Sequence, residues 1–293
     1  MRAGINLEFA KTERLSAEQA MRRAADAGYR HAEPYVYTDV TLPINSHLIV
    51  RSHTPYHHFH TAHVDAKAIS TLCEDLGLTF SAVDAHCTLL LPQVGVPYLK
   101  AAIDFAARVA CPVVVSDEGP LPTGWMDLDR AFDIMCLSLT EVTGHARACG
   151  VGYAVELHNA LTARPDYLVK LLDRFGPDEL GVNFDTGNAF LAGNDPVEYL
   201  KQIAERVIHV HVKDIPESQR HERGKVTGTR VGVAAGEGLI DLPGIVKVLR
   251  NAGYDGVLSV ECDTLDQATR SRRYLQDLID DEGKRCQDTI RRD

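Results

Sequence analysis

The chain has 293 residues, of which 45% are hydrophobic and 25% are charged, so a large core can form and an intrinsically disordered class is excluded. The formal net charge is −10 and the pI is about 5.7, which disfavours nucleic acid as a partner because phosphate recognition needs a basic face. The sequence has neither an apolar run long enough for a membrane span nor an apolar signal core at its start, so we expect a cytoplasmic protein.

Short β-rich apolar runs alternate with longer helical patterns along the chain, which is typical of repeated βα units over a parallel sheet. The predicted strands cover residues 3–9, 30–35, 79–86, 112–118, 152–159, 179–188, 206–214 and 256–263. The predicted helices cover residues 16–28, 65–77, 97–109, 127–148, 165–175, 195–205, 243–252 and 266–281, and the tail after them is expected to fray. Eight strands and eight helices predict a single (β/α)8 TIM barrel domain over residues 1–293. An open doubly wound sheet is disfavoured because no GxGxxG turn follows the first strand.

Two connections are long, at residues 36–64 and 215–238. Both leave from the C-terminal ends of predicted strands, where barrel active sites lie, and long loops in compact domains usually serve function. The segment GEGLID (236–241) follows no strand, and we interpret it as a turn that presents Asp241 as a helix cap.

Seven cysteines are present, and no two of them form a CxxC pair. The odd number and the spacing argue against a disulfide framework and against a cysteine-based zinc site. We expect most of these cysteines to be small buried hydrophobic residues.

Four consecutive predicted strands end in a potential metal ligand, namely Glu156, Asp185, His211 and Glu261, and each follows an apolar run. A single carboxylate at a strand end is commonly a helix cap or an ion-pair partner. Adjacent strands lie about 4.8 Å apart, so four such groups can converge on one point. Three carboxylates gathered there repel one another unless a cation is bound. Oxygen-rich ligation with one imidazole suits Mn2+ first, with Mg2+, Co2+ or Zn2+ as alternatives.

At these residues the chain resembles the sugar phosphate isomerase/epimerase superfamily of xylose isomerase-like TIM barrels. The matching segments are VELHN (155–159), NFDTGNAFLAGNDP (183–196), VIHVHVKD (207–214), GEGLID (236–241) and GYDGVLSVE (253–261). The resemblance implies the same four metal ligands, with Glu156 and Glu261 also serving as acid and base, as in the ketose 3-epimerase and hydroxypyruvate isomerase branches. It thus implies a metal-dependent sugar isomerase or epimerase that moves a proton next to a carbonyl through a metal-stabilised enediolate. By the same analogy we expect a homo-oligomer.

His158 departs from the epimerase pattern. It lies two residues beyond Glu156, and the alternation of an extended strand places both side chains on the same side. A Glu-x-His pair at the fifth strand resembles the barrel subunit of C-glycoside deglycosidases, which act on 3-keto-glycosides with a histidine base. The alternative function is therefore a metal-dependent lyase or dehydratase on a 3-keto sugar. A histidine that merely orients a metal ligand is an equally good interpretation of this position.

Several other polar residues close or follow the predicted strands. The candidate substrate contacts are Glu33, His86, Asn188, His209 and Lys213. His209 could instead support the metal from below, and Lys213 could be in an exposed ion pair. Asp117 and Glu118 end the fourth strand and are equally well explained as helix caps.

Two segments carry further alternatives. The loop after the second strand contains His47, His53, His57, His58, His60 and His63, together with Tyr37 and Tyr56, and Tyr35 directly precedes it. It could hold a second metal, but neutral histidines on a lid whose tyrosines stack on sugar faces is the simpler interpretation. The basic segment RGKVTGTR (223–230) could clamp a phosphate or carboxylate, or could be a solvated loop or an oligomer contact.

Two other functions can be weighed against catalysis on sugars. An endonuclease IV-type phosphodiesterase needs several zinc ions and a basic groove, and the net charge of −10 opposes it. A non-catalytic sugar-binding subunit is disfavoured because all four candidate metal ligands are present, and such a subunit does not need them. The favoured partner is therefore a small sugar or sugar derivative.

Overall fold

The computed structural model describes residues 1–38, 57–121, 126–225 and 232–290. Within them, the strands are β1 (Arg2–Asn6), β2 (His31–Glu33), β3 (Val36–Tyr37), β4 (Phe59–His60), β5 (Thr79–Phe80), β6 (Val83–Asp84), β7 (Val113–Ser116), β8 (Gly152–Glu156), β9 (Gly181–Asp185), β10 (Val207–Val212) and β11 (Val257–Val260). Nine of these form one parallel sheet in the order β5-β2-β1-β11-β10-β9-β8-β7-β6, and β3 pairs separately with β4.

The two edges of this sheet belong to one predicted strand, residues 79–86, which is interrupted after Phe80. The first part, β5, pairs with β2, and the second part, β6, pairs with β7. The Asp84 N–H donates to the Pro34 carbonyl at 2.9 Å, and Tyr35 forms a parallel bridge with Asp84. Because of the interruption, one predicted strand pairs with β2 through its first part and with β7 through its second part, so the sheet closes almost completely. This arrangement confirms the predicted (β/α)8 barrel.

The helices surround the sheet. They are α1 (Phe9–Glu13), α2 (Ala17–Asp26), α3 (Ala66–Leu76), α4 (Pro92–Arg108), α5 (Leu128–Ala148), α6 (Pro165–Arg174), α7 (Thr186–Leu191), α8 (Pro196–Ile203), α9 (Leu242–Asn251) and α10 (Leu265–Ile290). Among the described residues, no helix combines the length and the apolar character needed to cross a membrane.

The apolar face of each long helix packs against the barrel. On α6, Leu168, Leu171 and Leu172 are buried at helical spacing. Each such side chain contributes about 1.5–3 kcal/mol relative to exposure. The capping box predicted for the first helix is present, because the Ser16 hydroxyl accepts from Gln19 N–H and the Gln19 side chain accepts from Ser16 N–H.

Several predicted boundaries are wrong, and local hydrogen bonding explains two of them. The helix predicted at 97–109 begins at Pro92, and the strand predicted at 152–159 ends at Glu156. The strand predicted at 3–9 ends at Asn6 because the chain turns into α1, where Ala10 N–H donates to Leu7 O. The strand predicted at 179–188 ends at Asp185, whose carboxylate caps α7 by accepting from Asn188 N–H at 2.7 Å. The predicted loop 36–64 contains β3 and β4, and α10 continues to Ile290 where fraying was expected.

Asp214 fixes the loop that follows β10. Its fully buried carboxylate accepts hydrogen bonds from four backbone N–H groups, those of Ile215, Gly236, Gly238 and Ile240, at 2.9–3.0 Å. The segment 236–241 is therefore wrapped around one side chain. It ends at Asp241, whose carboxylate accepts from Gly244 N–H and caps α9, as predicted.

We expect Asp214→Ala to lower the free energy of unfolding by about 3 kcal/mol or more, since hydrogen bonds to a charged group contribute about 1.5–3 kcal/mol each and two of the four donors, the N–H groups of Ile215 and Ile240, remain buried. Urea denaturation followed by circular dichroism measures this change. Asp277→Ala, at an exposed position on α10, is the matched control and should leave the midpoint unchanged. Equal midpoints for the two variants would show that Asp214 does not organise the loop.

Candidate metal centre

The four predicted ligands meet at the C-terminal end of the barrel. Glu156 and Asp185 are the last residues of β8 and β9, His211 is the penultimate residue of β10, and Glu261 directly follows β11. From His211 Nδ1 the distances are 3.3 Å to Glu156 Oε2, 3.5 Å to Glu261 Oε2 and 3.9 Å to Asp185 Oδ2. The first three residues are buried, whereas the Glu261 side chain is 12% exposed. The structure therefore brings together the residues that the strand ends predicted.

Two buried atoms of this cluster that make no hydrogen bond fit a cation. Asp185 Oδ2 and His211 Nδ1 are buried and take part in no hydrogen bond. His211 Nε2 lies 3.0 Å from both Glu33 oxygens, so a proton on Nε2 is donated there, and Nδ1 is the ring nitrogen that faces the other carboxylates. A lone pair facing three carboxylates is unfavourable unless a positive charge lies between them. The donor set of three carboxylates and one imidazole fits a single divalent metal ion.

The electrostatics of the cluster lead to the same conclusion. Burial lowers the pKa of His211, but the carboxylates of Glu33 and Glu156 outweigh it and raise this pKa well above its usual value. Burial raises the pKa of Asp185 to about 7, with Glu261 and Glu156 adding to the shift against the opposing effect of Lys213. The centre therefore attracts positive charge, as a proton or as a cation.

Lys213, predicted to contact substrate, supplies part of that charge. Its ammonium lies 2.8 Å from Glu261 Oε1 and 3.2 Å from Asp185 Oδ2, and it donates to Asn188 Oδ1 at 3.1 Å. The alternative of an exposed ion pair is wrong, because the side chain is only 2% exposed. A Cβ on Gly187 would lie 2.6 Å from the Lys213 side chain, so this glycine makes room for it.

Two predicted substrate contacts, Glu33 and Asn188, are buried and do not line the cavity. Glu33 binds His211 and accepts from the Ser259 hydroxyl at 2.7 Å. Asn188 donates to Glu156 Oε1 at 3.0 Å while its carbonyl accepts from Lys213. Glu33 points into the barrel below the cavity, whereas Asn188 lies in α7 and is held between Glu156 and Lys213, so neither side chain lines the cavity.

His209 lies one layer below His211. Its Nδ1 is 3.0 Å from Asn183 Oδ1, and the Asn183 amide donates to Glu156 Oε2 at 3.2 Å. His209 therefore supports Glu156 through Asn183, in agreement with the alternative of support from below. Asn183 was missed by the sequence analysis, although its position two residues before Asp185 places it on the same side of β9.

A second cluster lies beside the four ligands. His158 Nδ1 is 2.5 Å from Asp117 Oδ2, which also accepts from the Asn159 amide. Burial lowers the pKa of His158, but its hydrogen bond to Asp117 and the nearby Glu156 raise it overall. Asp117 therefore orients a histidine and is not a helix cap.

His86 joins the two clusters. Its Nε2 lies 2.9 Å from Asp84 Oδ1 and 3.5 Å from Glu156 Oε2, and its Nδ1 lies 3.5 Å from Asp117 Oδ1. The neighbouring Glu118 faces away from the cavity, since it accepts from Leu161 N–H and the Thr162 hydroxyl, each at 2.7 Å. His86 therefore lies at the cavity, whereas Glu118 does not.

Both clusters open into a cavity of about 330 Å³. The lining residues are Glu8, Lys11, Tyr35, Val36, His57, His58, Asp84, His86, Tyr98, Glu156, His158, His211, Lys213 and Glu261. The Tyr35 ring stacks on His58 with centroids 5.0 Å apart. Burial lowers the pKa of His58 to about 3, so this histidine is neutral, as the lid interpretation expects.

Parts of the two long loops lie away from the cavity. His60 and His63 pack against each other, with ring centroids 4.1 Å apart. Arg223 donates to the Asn194 carbonyl at 2.8 Å and lies over the Phe190 ring. His47, His53, Tyr56 and Arg230 lie outside the described residues.

Comparisons with known proteins agree with this fold. A family model described as a xylose isomerase-like TIM barrel matches residues 21–278. Inosose dehydratase of Lacticaseibacillus casei is 26% identical over 191 residues, which cover 56% of this chain and 63% of that protein. The chain thus matches less than two thirds of the length of this curated relative.

Solved structures share the whole fold. A D-tagatose 3-epimerase-like protein superposes with a TM-score of 0.77 and 18% identity, covering 98% of this chain and all of that one. The IOLI protein, whose structure has a bound zinc atom, superposes with a TM-score of 0.72 and 15% identity, covering 95% of this chain and 98% of that one. At these identities the likeness establishes the fold.

Proposed function

The chain belongs to the xylose isomerase-like TIM barrel family, and on that basis we propose that it is a metal-dependent dehydratase of polyhydroxy ketones. In this reaction a proton leaves the carbon next to the ketone, and a hydroxyl group one carbon further leaves as water. The observation that carries the proposal is the Asp117–His158 pair, with 2.5 Å between Oδ2 and Nδ1, at the wall of the cavity that holds the candidate metal ligands.

Glu156, Asp185, His211 and Glu261 would hold the metal, with Mn2+ proposed first because oxygen ligands predominate. When bound, the ion supplies positive charge that polarises the ketone and stabilises negative charge on its oxygen. Glu33 orients His211 through Nε2, and the Asn183 and Asn188 amides orient Glu156. These fixed contacts hold the ligands in place before a substrate enters.

Glu261 is the proposed base. Its side chain reaches the cavity and is the most exposed of the four ligands, and its Oε1 is held 2.8 Å from the Lys213 ammonium. The carboxylate takes the proton from the carbon next to the ketone, and the electron pair of that C–H bond is first delocalised onto the ketone oxygen. When the C–O bond one carbon further breaks, this pair returns to form the new C=C bond.

His158 is the proposed acid. Because Asp117 holds Nδ1, Nε2 is the ring nitrogen left for a ligand in the cavity. The raised pKa of His158, caused by Asp117 and Glu156 against the effect of burial, keeps a proton available at this nitrogen. As the C–O bond breaks, Nε2–H protonates the departing hydroxide, which leaves as water.

The proposed substrate class is a cyclic polyhydroxy ketone. The curated relative described above is an inosose dehydratase, and inososes are ketones of this class. A cavity of about 330 Å³ has the size of a small-ligand pocket. Tyr35 and Tyr98 give the cavity aromatic surface, and His86 adds a polar group to its lining.

Sugar epimerisation or isomerisation, the function first predicted from the sequence, remains the second candidate. It is favoured by the two glutamates, Glu156 and Glu261, whose oxygens lie 3.3 and 3.5 Å from the same nitrogen of His211. Two carboxylates beside one metal can remove a proton from one face of a carbon and return it to the other.

NMR in D2O separates these functions when the Mn2+-loaded protein is incubated with an inosose and, separately, with ketohexoses. We expect the inosose to lose water and give a vinylic product. Deuterium incorporation with inversion and no water loss would instead establish epimerisation. If no carbon next to a ketone exchanges its proton in any of these compounds, both candidates are wrong.

A further inference from the structure

A cluster of three different metal-binding side chains lies on the outside of the barrel. Asp104 belongs to α4, His145 to the last turn of α5, and Cys149 directly follows α5 as its C-cap. His145 Nε2 is 2.7 Å from Asp104 Oδ1, and Cys149 Sγ is 3.7 Å from both of these atoms. One carboxylate, one imidazole and one thiol therefore converge from two neighbouring helices.

This cluster is separate from the candidate catalytic centre. The chain passes from Cys149 directly into β8, so the end of α5 lies at the N-terminal edge of the sheet. The cavity and the four strand-end ligands lie at the opposite, C-terminal edge. A ligand bound at Cys149 therefore cannot touch a substrate in the cavity.

Helical spacing places the side chains of His145 and Cys149 together. Residues four apart lie on the same face of a helix, one turn from each other. One turn earlier, Lys100 of α4 and Glu141 of α5 form an ordinary salt bridge at 2.8 Å. The next pair along the two helices is Asp104 with His145, to which Cys149 adds a thiol.

We propose that Asp104, His145 and Cys149 bind a zinc-type divalent cation, with solvent completing its coordination. Zn–S distances of about 2.3 Å and Zn–N and Zn–O distances of about 2.0–2.1 Å place tetrahedral ligands about 3.5 Å apart when one is sulfur, and about 3.3 Å apart otherwise. Both sulfur separations in the structure are 3.7 Å, close to this value. The shorter His145–Asp104 distance is that of a hydrogen bond, which must open to admit the ion.

The surroundings favour a cation at this place. The C-terminal end of a helix carries partial negative charge, and the site lies at the end of the 21-residue helix α5. Asp104 and His145 keep 56% and 30% of their side-chain surfaces exposed, so an ion can enter from solvent and Asp104 can adjust. Burial and the Asp104 carboxylate raise the pKa of the Cys149 thiol, so binding must release a proton from Sγ to solvent.

A cysteine-based zinc site was not expected from the sequence, because no CxxC pair is present. That rule covers sites built from paired cysteines. It does not cover a mixed site with one ligand from another helix, which only the packing of α4 against α5 reveals. Since two helices would share the ion, binding is expected to raise the thermal unfolding midpoint of the whole chain.

Titration of the full-length protein with Co2+ tests the proposal. A thiolate bound to Co2+ gives a charge-transfer absorption that oxygen and nitrogen ligands do not give. None of the four strand-end ligands contains sulfur, so this band does not report on the catalytic centre. We expect the band to appear in the wild-type protein and to disappear when Zn2+ displaces Co2+.

Variants of the three residues identify the ligands. Cys149→Ser should abolish the band, and His145→Ala should weaken the apparent Co2+ affinity by about 10-fold or more. Cys136→Ser removes another half-buried thiol of α5 and should leave the band unchanged. No thiolate band in the wild type, or a band that survives Cys149→Ser, would overturn the proposal whatever the catalytic activity of the protein.

Discussion

Asp185→Asn is expected to lower the affinity for Mn2+ by about 100-fold or more, since the replacement of groups that merely orient metal ligands already costs 10–100-fold. Asp185 is fully buried, and its Oδ2 takes part in no hydrogen bond. The substitution removes the negative charge at that atom. Catalytic efficiency should fall by at least the same factor, because the positive charge that stabilises the developing oxyanion is lost.

Asp185→Asn removes the negative charge at this position while the local structure can remain. Asp185 Oδ1 caps α7 by accepting from Asn188 N–H, and an asparagine oxygen can accept the same bond. Asp195→Asn is the matched control, since Asp195 caps α8 through Val197 and Glu198 N–H at an exposed position. Equilibrium dialysis with elemental analysis measures the affinity. Equal Mn2+ affinity in the two variants would show that Asp185 is not a ligand.

His158→Gln is expected to separate proton abstraction from water loss. The variant removes the proposed acid and leaves Glu261 and the four ligands in place. Water release should therefore fall by about 10²–10⁴-fold, the usual contribution of a general acid. Exchange of the substrate proton with D2O should fall far less, because it needs the base and not the acid. Both rates are read from one NMR time course with an inosose.

Asp117→Asn supplies a second measurement of the same pair. It replaces the carboxylate at Nδ1 of His158 with a neutral amide, so it should slow water release more than exchange, as His158→Gln does. His221→Gln, at a side chain that is 71% exposed, is the control and should change neither rate. If His158→Gln slows exchange and water release equally, His158 is not the acid that serves the leaving group.

The main features of the barrel were predictable because local patterns determine them. Alternating apolar runs and capping residues located the strands and most helix ends, and the last residues of neighbouring parallel strands must meet at one edge of the sheet. Glu156 and Asp185 are such residues, and His211 and Glu261 lie next to the strand ends. Their convergence follows from chain order alone.

Depth within the barrel was not predictable. Period-two alternation gives the side to which a residue points, so it placed His209 and His211 together. It does not say which of them lies at the cavity and which lies one layer below. The same limitation affected Glu33, because the tilt of barrel strands shifts neighbouring residues along the barrel axis. Asn188 was predicted at the end of a strand but lies in α7, since the chain turns into a helix at Asp185.

Contacts between distant segments were also not predictable from the sequence. The pairing of Asp117 with His158 depends on how the ends of β7 and β8 turn, and nothing at position 117 distinguishes it from a helix cap. The interruption of residues 79–86 reflects closure of the whole sheet. The cluster of Asp104, His145 and Cys149 depends on helix packing in the same way.

The central claim is that four strand-end residues hold one catalytic metal ion. An anomalous difference map from a Mn2+-soaked crystal tests it most directly, because the manganese signal locates the ion without assuming any ligand. The account predicts a single strong peak at the C-terminal end of the barrel, within coordination distance of Glu156, Asp185, His211 and Glu261. Catalytically active crystals with no peak among these four side chains would contradict it.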